Sequence, residues 1–507
     1  MKKIFKSCLL MLVAVCVSFS FVGCKKKVSP TTTNTDNIKF SNGVTTNGGM
    51  TVVHGDYLYF INGTKENNGK SQGKNTRSAI CRVKYDMTTG ETSGDMEVVV
   101  DELVGFINGS LYIFGDFLYY ATPSNGENSK GEVLFNKTEF KRYDLVNKKS
   151  HTIYTTALNS SSETVDYAYY VVGETLNLLV YEKTNTTIKS LKIDKKVTEN
   201  YVIENVVSCL FSENYGTVTT TGAISDANSY VFYTLAPGAF DAEQTGSKVY
   251  KTSPVTNNSK LISSGKDIAL LTIRCGKLLY TYNSFIYANV VNDSTETLST
   301  ENADCISRAT LDNAIYLENY SLVNKEGDDS KKQLVKSEGS ISVLTLTKST
   351  DSAYYFNVFE WTNEGNISND NYETIAIMSS SKDFSFIGIT TMTEVVVEAD
   401  EDKGIEEETR DVLYAVFMES SIVYKIEIAE YTSDANVLDV SGYSERIKMS
   451  TTTVNKTTGL LAPEIVGDYL FIMAADSDKN NYLYKVDLTL TKNATKASDK
   501  FALDEKK

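Results

Sequence analysis

The sequence predicts an all-β chain, arranged as a β-propeller of seven or eight four-stranded blades, and three observations carry that expectation. The first is texture. From residue 50 onward, short runs of Tyr, Val, Ile, Phe and Leu are separated by Gly, Asn, Asp, Ser and Thr, and the chain holds 32 tyrosines against 5 prolines. Aromatic and β-branched runs bounded by turn formers are strand signals, and no stretch carries the period of an amphipathic helix. The second is repetition. GDYLYF at 55–60 returns as GDFLYY at 115–120 and GDYLFI at 467–472. Looser copies are VDYAYY (165–170), SYVFYT (229–234), GKLLYT (276–281), DNAIYL (312–317), SAYYFN (352–357) and DVLYAV (411–416). The third is that both faces of these strands are apolar: in DYLYF, Tyr57 and Tyr59 point one way while Leu58 and Phe60 point the other. Such a strand must be covered on both sides, which blades packed face to face around a ring provide. A sandwich covers its sheets on one face and gives cleaner alternation.

The N-terminal residues stand apart from this pattern. Lys2, Lys3 and Lys6 form a positive region, and Cys8 to Val22 is an apolar run too short to span a bilayer comfortably. The run ends in FVGC, which resembles the lipobox of bacterial lipoproteins, although Phe21 stands where leucine is usual. Residues 1–23 therefore read as a lipoprotein signal peptide, with a plain secretory signal or an N-terminal membrane anchor as the alternatives. The resemblance implies that Cys24 is diacylated and becomes the mature N-terminus. Two acyl chains supply the two signals that stable anchoring needs, so the implied location is extracytoplasmic, lipid-anchored to the bacterial cell membrane. Residues 24–49 are rich in Thr, Asn and Gly and read as a flexible tether. Lys25, Lys26 and Lys27 sit where anionic headgroups would be, as contacts or as a solvated run.

Residues 50–492 are the expected propeller. The nine copies start 36 to 64 residues apart and read as first strands of blades. Nine exceed a typical ring, so one or two are expected to be second strands or insertions. Several are followed, after a polar loop, by a more alternating strand: AICRVKYD (79–86), TEFKRYDL (138–145), KVYKTSPV (248–255), IVYKIEI (422–428) and YLYKVDL (482–488). Residues 493–507 read as a polar C-terminal tail. The pairing of GDYLYF with a YLYKVDL-type strand resembles the YWTD-like propellers of lipoproteins in low-GC Gram-positive bacteria, a group largely without assigned activity. No YWTD tetrapeptide occurs here. The resemblance implies the fold and no particular ligand.

Charge narrows the partners. The chain carries a formal −15, and residues 1–23 hold three lysines and no acid, so the remainder is three charges more negative still. Nucleic acid and anionic lipid need basic surfaces and are excluded as partners of the body. Cys81, Cys209, Cys275 and Cys305 lie far apart and allow three pairings; buried free thiols are the simpler reading.

Catalytic motifs are scarce. GKSQG (69–73) fits G-x-S-x-G but sits in a polar loop rather than between a strand and a helix, and SSSK (379–382) lacks the companions of S-x-x-K. His54 and His151 are the only histidines, and they cannot build a transition-metal centre with scattered cysteines. DSDKNN places Asp476, Asp478 and Asn480 at the 1, 3 and 5 spacing of a calcium loop, with Asn481 where the glycine belongs. A polar hairpin loop accounts for it equally, so no cofactor is expected and calcium is the one candidate. Glu398, Asp400, Glu401, Asp402, Glu406, Glu407 and Glu408 are opposed by Lys403 and Arg410. They read as an exposed inter-strand loop and a candidate docking site for a basic partner or a loose cation site. The lone Trp361 is a sugar platform or a rim aromatic.

The expected function is a membrane-anchored lipoprotein whose propeller is a binding or protein-interaction platform for a protein or glycan, and not an enzyme. One alternative is a propeller hydrolase or lyase acting on glycans through paired channel-lining carboxylates; another is an envelope-assembly scaffold.

Overall fold

A computed structural model describes residues 49–501, apart from 64–77, 105–110, 128–132, 158–164, 212–229, 237–246, 291–296, 298–314, 398–406, 428–436, 439–445, 449–463, 476–480, 490–497 and some connections of one to five residues. The chain divides into two units, residues 1–39 and 40–507; all described residues belong to the second. Cys24 and the tether up to residue 48 lie outside the described residues.

Eight sheets follow one another along the described chain, and the fold is a β-propeller. Blades 1 to 8 occupy residues 51–100, 112–155, 165–203, 206–265, 269–290, 315–379, 384–448 and 464–500. Six have four strands, blade 5 has three, and blade 6 gains a fifth, so the expected architecture holds. Within each blade the strands form an antiparallel meander in chain order. The fifth strand of blade 6 is Val437–Leu438, which pairs in parallel with Ile377 and Met378. It belongs to the connection between the third and fourth strands of blade 7, so it reaches back across the blade boundary. Fourth strands are the most exposed, as in Thr92–Val100 and Lys149–Thr155, while the second strand Tyr57–Ile61 buries its last four residues.

The core lies between blades, as two-faced strands require. One cluster joins Leu58, Phe60 and Val83 of blade 1 to Ile113 and Tyr120 of blade 2 and to Tyr469, Phe471 and Phe501 at the other end of the chain. Others join blades 7 and 8 through Val416 and Leu470, blades 3 and 4 through Tyr170 and Val231, and blades 4 and 5 through Phe232 and Tyr280. Blades 2 and 3 meet where Tyr112 stacks on Tyr169 at 5.0 Å. The ring therefore closes between blades 8 and 1. Among the described residues it does so without strand exchange, blade 1 being built from 51–100 and blade 8 from 464–500.

Two sequence expectations change. The Gly-Asp copies are not first strands. Gly-Asp is the hairpin turn from the first strand to the second, and the aromatic run after it is the second strand in blades 1, 2 and 8. Of the looser copies, VDYAYY and the described part of DNAIYL fall on first strands, SYVFYT, GKLLYT and DVLYAV on second strands, and SAYYFN on the third strand of blade 6, the blade that also holds DNAIYL. That doubling explains nine copies in eight blades. The propeller also extends past 492, because the strand Ser498–Lys500 completes blade 8 and Phe501 packs on Phe60 at 4.7 Å. A three-residue polar edge strand carries no apolar signal of its own.

Candidate functional site

The Gly-Asp turns define one face of the ring. Gly55, Gly115 and Gly467 have φ of 59°, 60° and 58°, and their aspartates do not share the positive φ. The flanking pairs His54↔Tyr57, Phe114↔Phe117 and Val466↔Tyr469 close two-residue loops. Positive φ at the first loop position alone is the type II′ signature, which glycine adopts without Cβ cost. In a meander, the connection between third and fourth strands falls on this same face.

The basic residue repeated in the third strands acts on this face. In blade 1 Arg82 pairs in register with Tyr59, and its guanidinium lies 4.6 Å from the ring centre of Tyr57, two residues earlier. The same diagonal recurs in blade 2 with Arg142 over Phe117 at 4.8 Å, and in blade 8 with Lys485 over Tyr469 at 4.7 Å. Blades 4 and 7 repeat it, with Lys251 over Tyr230 at 5.3 Å and Lys425 over Tyr414 at 4.5 Å. A cation over an aromatic face contributes about 0.5–2 kcal/mol, more as it is desolvated. Lys425 is fully buried, with Nζ also 3.7 Å from Met392 Sδ.

Two of these cations reach on into the next blade. Arg142 donates to the carbonyls of Asp194 (2.7 Å) and Lys195 (3.3 Å), in the third-to-fourth turn of blade 3. Lys485 donates to Gly90 O at 2.5 Å, in the corresponding turn of blade 1, and Tyr469 Oη donates to Thr89 O at 2.6 Å. Gly90 has φ +65°, and a Cβ there would lie 2.0 Å from the Tyr469 ring. Arg82 is held instead within its own blade by Glu97 at 2.5 Å. Burial raises the hydroxyl pKa of Tyr59, Tyr85 and Tyr469, Arg82 opposing the shift at Tyr59 and nearby acids adding to it at Tyr85 and Tyr469. An open cleft of about 450 Å³ lies beside this seam, lined by Gly55, Asp56, Lys84, Tyr85, Asp86, Met87 and Ser93.

Blades 6 and 7 treat the same face differently. In blade 7 the first and second strands, Phe384–Val397 and Glu408–Glu419, stay paired as far as Val397↔Glu408. The third strand, Ile422–Glu427, pairs only from Tyr414 onward. The hairpin thus continues for six residues beyond that strand, about 20 Å at the usual rise. Blade 6 does the same: its third strand ends opposite Ile341, while the hairpin runs on to Lys325↔Asp328. In blade 7 Met392 and Val412 are the last buried rung, part of the core shared with blade 8. Beyond them Val395 is 50% exposed and Val397 37%, and Glu407, Glu408 and Thr409 are exposed.

The sites expected from sequence fall as follows. Glu407 and Glu408 lie at the exposed end of the blade 7 hairpin, and Glu398, Asp400, Glu401, Asp402 and Glu406 are outside the described residues. Asp476, Asp478 and Asn480 are also outside them, between the paired strands Tyr469–Ala475 and Asn481–Asp487. GKSQG lies outside them, as do Cys275 and Cys305. Among the described residues no cluster of three or more acidic, His or Cys side chains is arranged to hold a metal ion. His54 is half-buried at the end of a first strand, its pKa lowered by desolvation with Asp116 opposing, and His151 is exposed on blade 2. Cys81 and Cys209 are free thiols, and burial pushes Cys81 up to about 12. Sequence reasoning missed Glu182, a buried carboxylate that accepts from Tyr154 Oη, from Ala157 N at 3.0 Å and from Asn185 Nδ2 at 3.0 Å, joining blades 2 and 3.

No known protein family and no curated protein matches the chain. Similar solved structures include the WD40 domain of SCAP from fission yeast, with 10% identity, TM-score 0.37, and coverage of 90% of this chain and 96% of that one. A post-proline cleaving enzyme from Rickettsia typhi has 10% identity and TM-score 0.36, covering 92% and 59%. The polysaccharide lyase Uly1 has 11% identity and TM-score 0.32, covering 89% and 100%. The expectation that the chain is not an enzyme is corrected here: enzymes stand among its structural neighbours, so scarcity of sequence motifs is no ground for excluding catalysis on this fold. What the likeness bears on is the fold, and the fold is a β-propeller.

Proposed function

We propose that this chain is an exported, lipid-anchored propeller that works as a protein-binding platform and presents its hairpin-bearing face to a partner. Residues 1–23 are the signal peptide, Cys24 carries the lipid and residues 24–49 are the tether, read from the charge, apolar run and FVGC of the sequence. The observation that carries the binding reading is the blade 7 hairpin, which leaves the core at Met392–Val412 and continues with Val395 and Val397 exposed. A fold that buries tyrosine so thoroughly elsewhere gains nothing in stability from exposed valines on a ribbon. Other large apolar side chains are as exposed, Val146 and Val207 among them; what supports a contact surface here is that Val395 and Val397 stand at the end of a hairpin that projects beyond its third strand.

Two measurements test the reading. Cys24→Ser is expected to release the protein from membranes; unchanged attachment of a processed chain overturns the anchor. Replacing residues 393–411 by Gly-Asp, the turn of blades 1, 2 and 8, is expected to remove crosslinked partner species formed on cells by the anchored protein. An identical crosslinking pattern overturns the role of this face.

A further inference from the structure

We propose that the open cleft between the two turns of blade 1 binds a small zwitterion with an apolar side chain, an amino acid or a short peptide, independently of any partner of the blade 7 hairpin. The cleft, of about 450 Å³, lies between the Gly-Asp turn after the first strand and the turn that follows the third strand. Small-molecule sites usually measure about 300–1,000 Å³. Tyr85 is the one buried residue of the lining. Its N–H donates to Asp56 O at 2.9 Å, which ties the start of one turn to the other.

Two opposite charges border this cleft without meeting each other. The Asp56 carboxylate and the Lys84 ammonium are both exposed, and among the described residues neither makes an ion pair or a side-chain hydrogen bond. They are neighbours in the sheet nonetheless, since Tyr57, next to Asp56, stands opposite Lys84 in the ladder. Each charge is therefore open to a ligand group of opposite sign. Ser93, in register with Lys84 on the other side, adds a hydroxyl. Met87, 45% exposed, adds a polarisable thioether that adapts to an apolar group. Asp86 is already engaged, accepting from Thr89 N at 3.2 Å.

The charges choose the ligand. A simple anion drawn to Lys84 is repelled by Asp56 and Asp86, and a simple cation drawn to the aspartates is repelled by Lys84. A zwitterion gains at both ends, and an apolar side chain between them covers Met87.

Calorimetric titration of the detergent-solubilised full chain with Leu-Leu, N-acetyl-Leu-Leu, Leu-Leu amide and free leucine tests the proposal. Leu-Leu is expected to bind about fivefold tighter than either blocked form, the upper worth of one partly exposed ion pair. Asp56→Asn is expected to weaken Leu-Leu about fivefold with no loss for the acetylated form, which lacks the ammonium. Lys84→Gln is expected to weaken Leu-Leu as much with no loss for the amide, which lacks the carboxylate. Both substitutions are at exposed positions outside the core, and only a direct contact produces this crossed pattern. Leucine binding as tightly as Leu-Leu assigns the cleft to amino acids, and weaker binding assigns it to peptides. No saturable binding of either, equal binding of the blocked forms, or variants that weaken every ligand alike overturns the proposal.

Discussion

Two arcs of the same ring use the same chain geometry for opposite ends. From blade 8 through blade 2, each first hairpin closes in two residues, and the aromatic that follows is capped by the basic side chain of the third strand. Blades 2 and 8 then carry that cation on to the neighbouring blade. In blades 6 and 7 the corresponding hairpins run about 20 Å past their third strands. Blade 7 nonetheless retains the buried pair of Lys425 and Tyr414. The comparison separates two duties: the cation–aromatic diagonal recurs in five blades and in both arcs, whereas hairpin length is where blades diverge. The tight arc carries the closure, since no shared strand joins blades 1 and 8 among the described residues. Side chains of Tyr469, Lys485, Phe471 and Phe501 do that work against Thr89, Gly90, Tyr85 and Phe60.

The sharpest way to break this contrast is at Gly90. Alanine there meets both a positive φ and the Tyr469 ring at 2.0 Å. Left-handed backbone costs a non-glycine residue about 1–2 kcal/mol. Displacing Tyr469 and Lys485 from their bonds brings the expected loss to about 3–5 kcal/mol, the range of a disrupted buried contact. Gly94→Ala supplies the reference, since Gly94 has φ +76° with nothing within 4 Å of an added Cβ; it is expected to cost only the backbone share. Urea unfolding of both variants gives the measurement. Equal losses at the two positions would mean that the seam between blades 8 and 1 is not what closes the ring.

A smaller effect is expected at the cation itself. Lys485→Met keeps the aliphatic length while removing the charge over Tyr469 and the bond to Gly90 O. The loss is expected at about 1–2 kcal/mol, one cation–aromatic contact plus one hydrogen bond. Hydrogen exchange is the discriminating readout: protection should fall in blade 1 around Thr89 and Gly90 as well as in blade 8. A loss confined to blade 8 would make Lys485 a local packing residue.

How much of this was legible follows from which residues speak locally. GDYLYF announces its turn and strand because glycine, aspartate and alternating aromatics act within six residues. Apolarity on both faces is also local, and it predicted blade-on-blade packing. The basic residue in AICRVKYD and YLYKVDL was visible as a repeat, but its partner two residues along the neighbouring strand depends on register, which the sequence does not display. Glu182 was silent for the same reason, since its donors come from two blades. The acidic segment was seen as a loop between strands. That its stem is a ribbon with exposed valines is set by where the third strand stops pairing, a matter of tertiary structure. Ser498–Lys500 went unseen because a short polar edge strand is held by its neighbour and not by its own residues.

The last prediction concerns the long arc and is the smallest. Replacing residues 393–411 by Gly-Asp closes the ladder at Met392↔Val412, the rung where burial ends. No residue of the core cluster shared by blades 7 and 8 is removed. Shortening a loop changes closure entropy only by a fraction of a kcal/mol per doubling of length, roughly 0.6. The marginal ribbon adds little of its own. The variant is expected to unfold within about 1 kcal/mol of the parent in urea, with an unchanged dependence on denaturant. A loss comparable to that of Gly90→Ala would show that the hairpin is an integral part of the ring. A neutral result leaves an acidic ribbon that the fold maintains without needing it for stability, which is the condition expected of a surface kept for a partner.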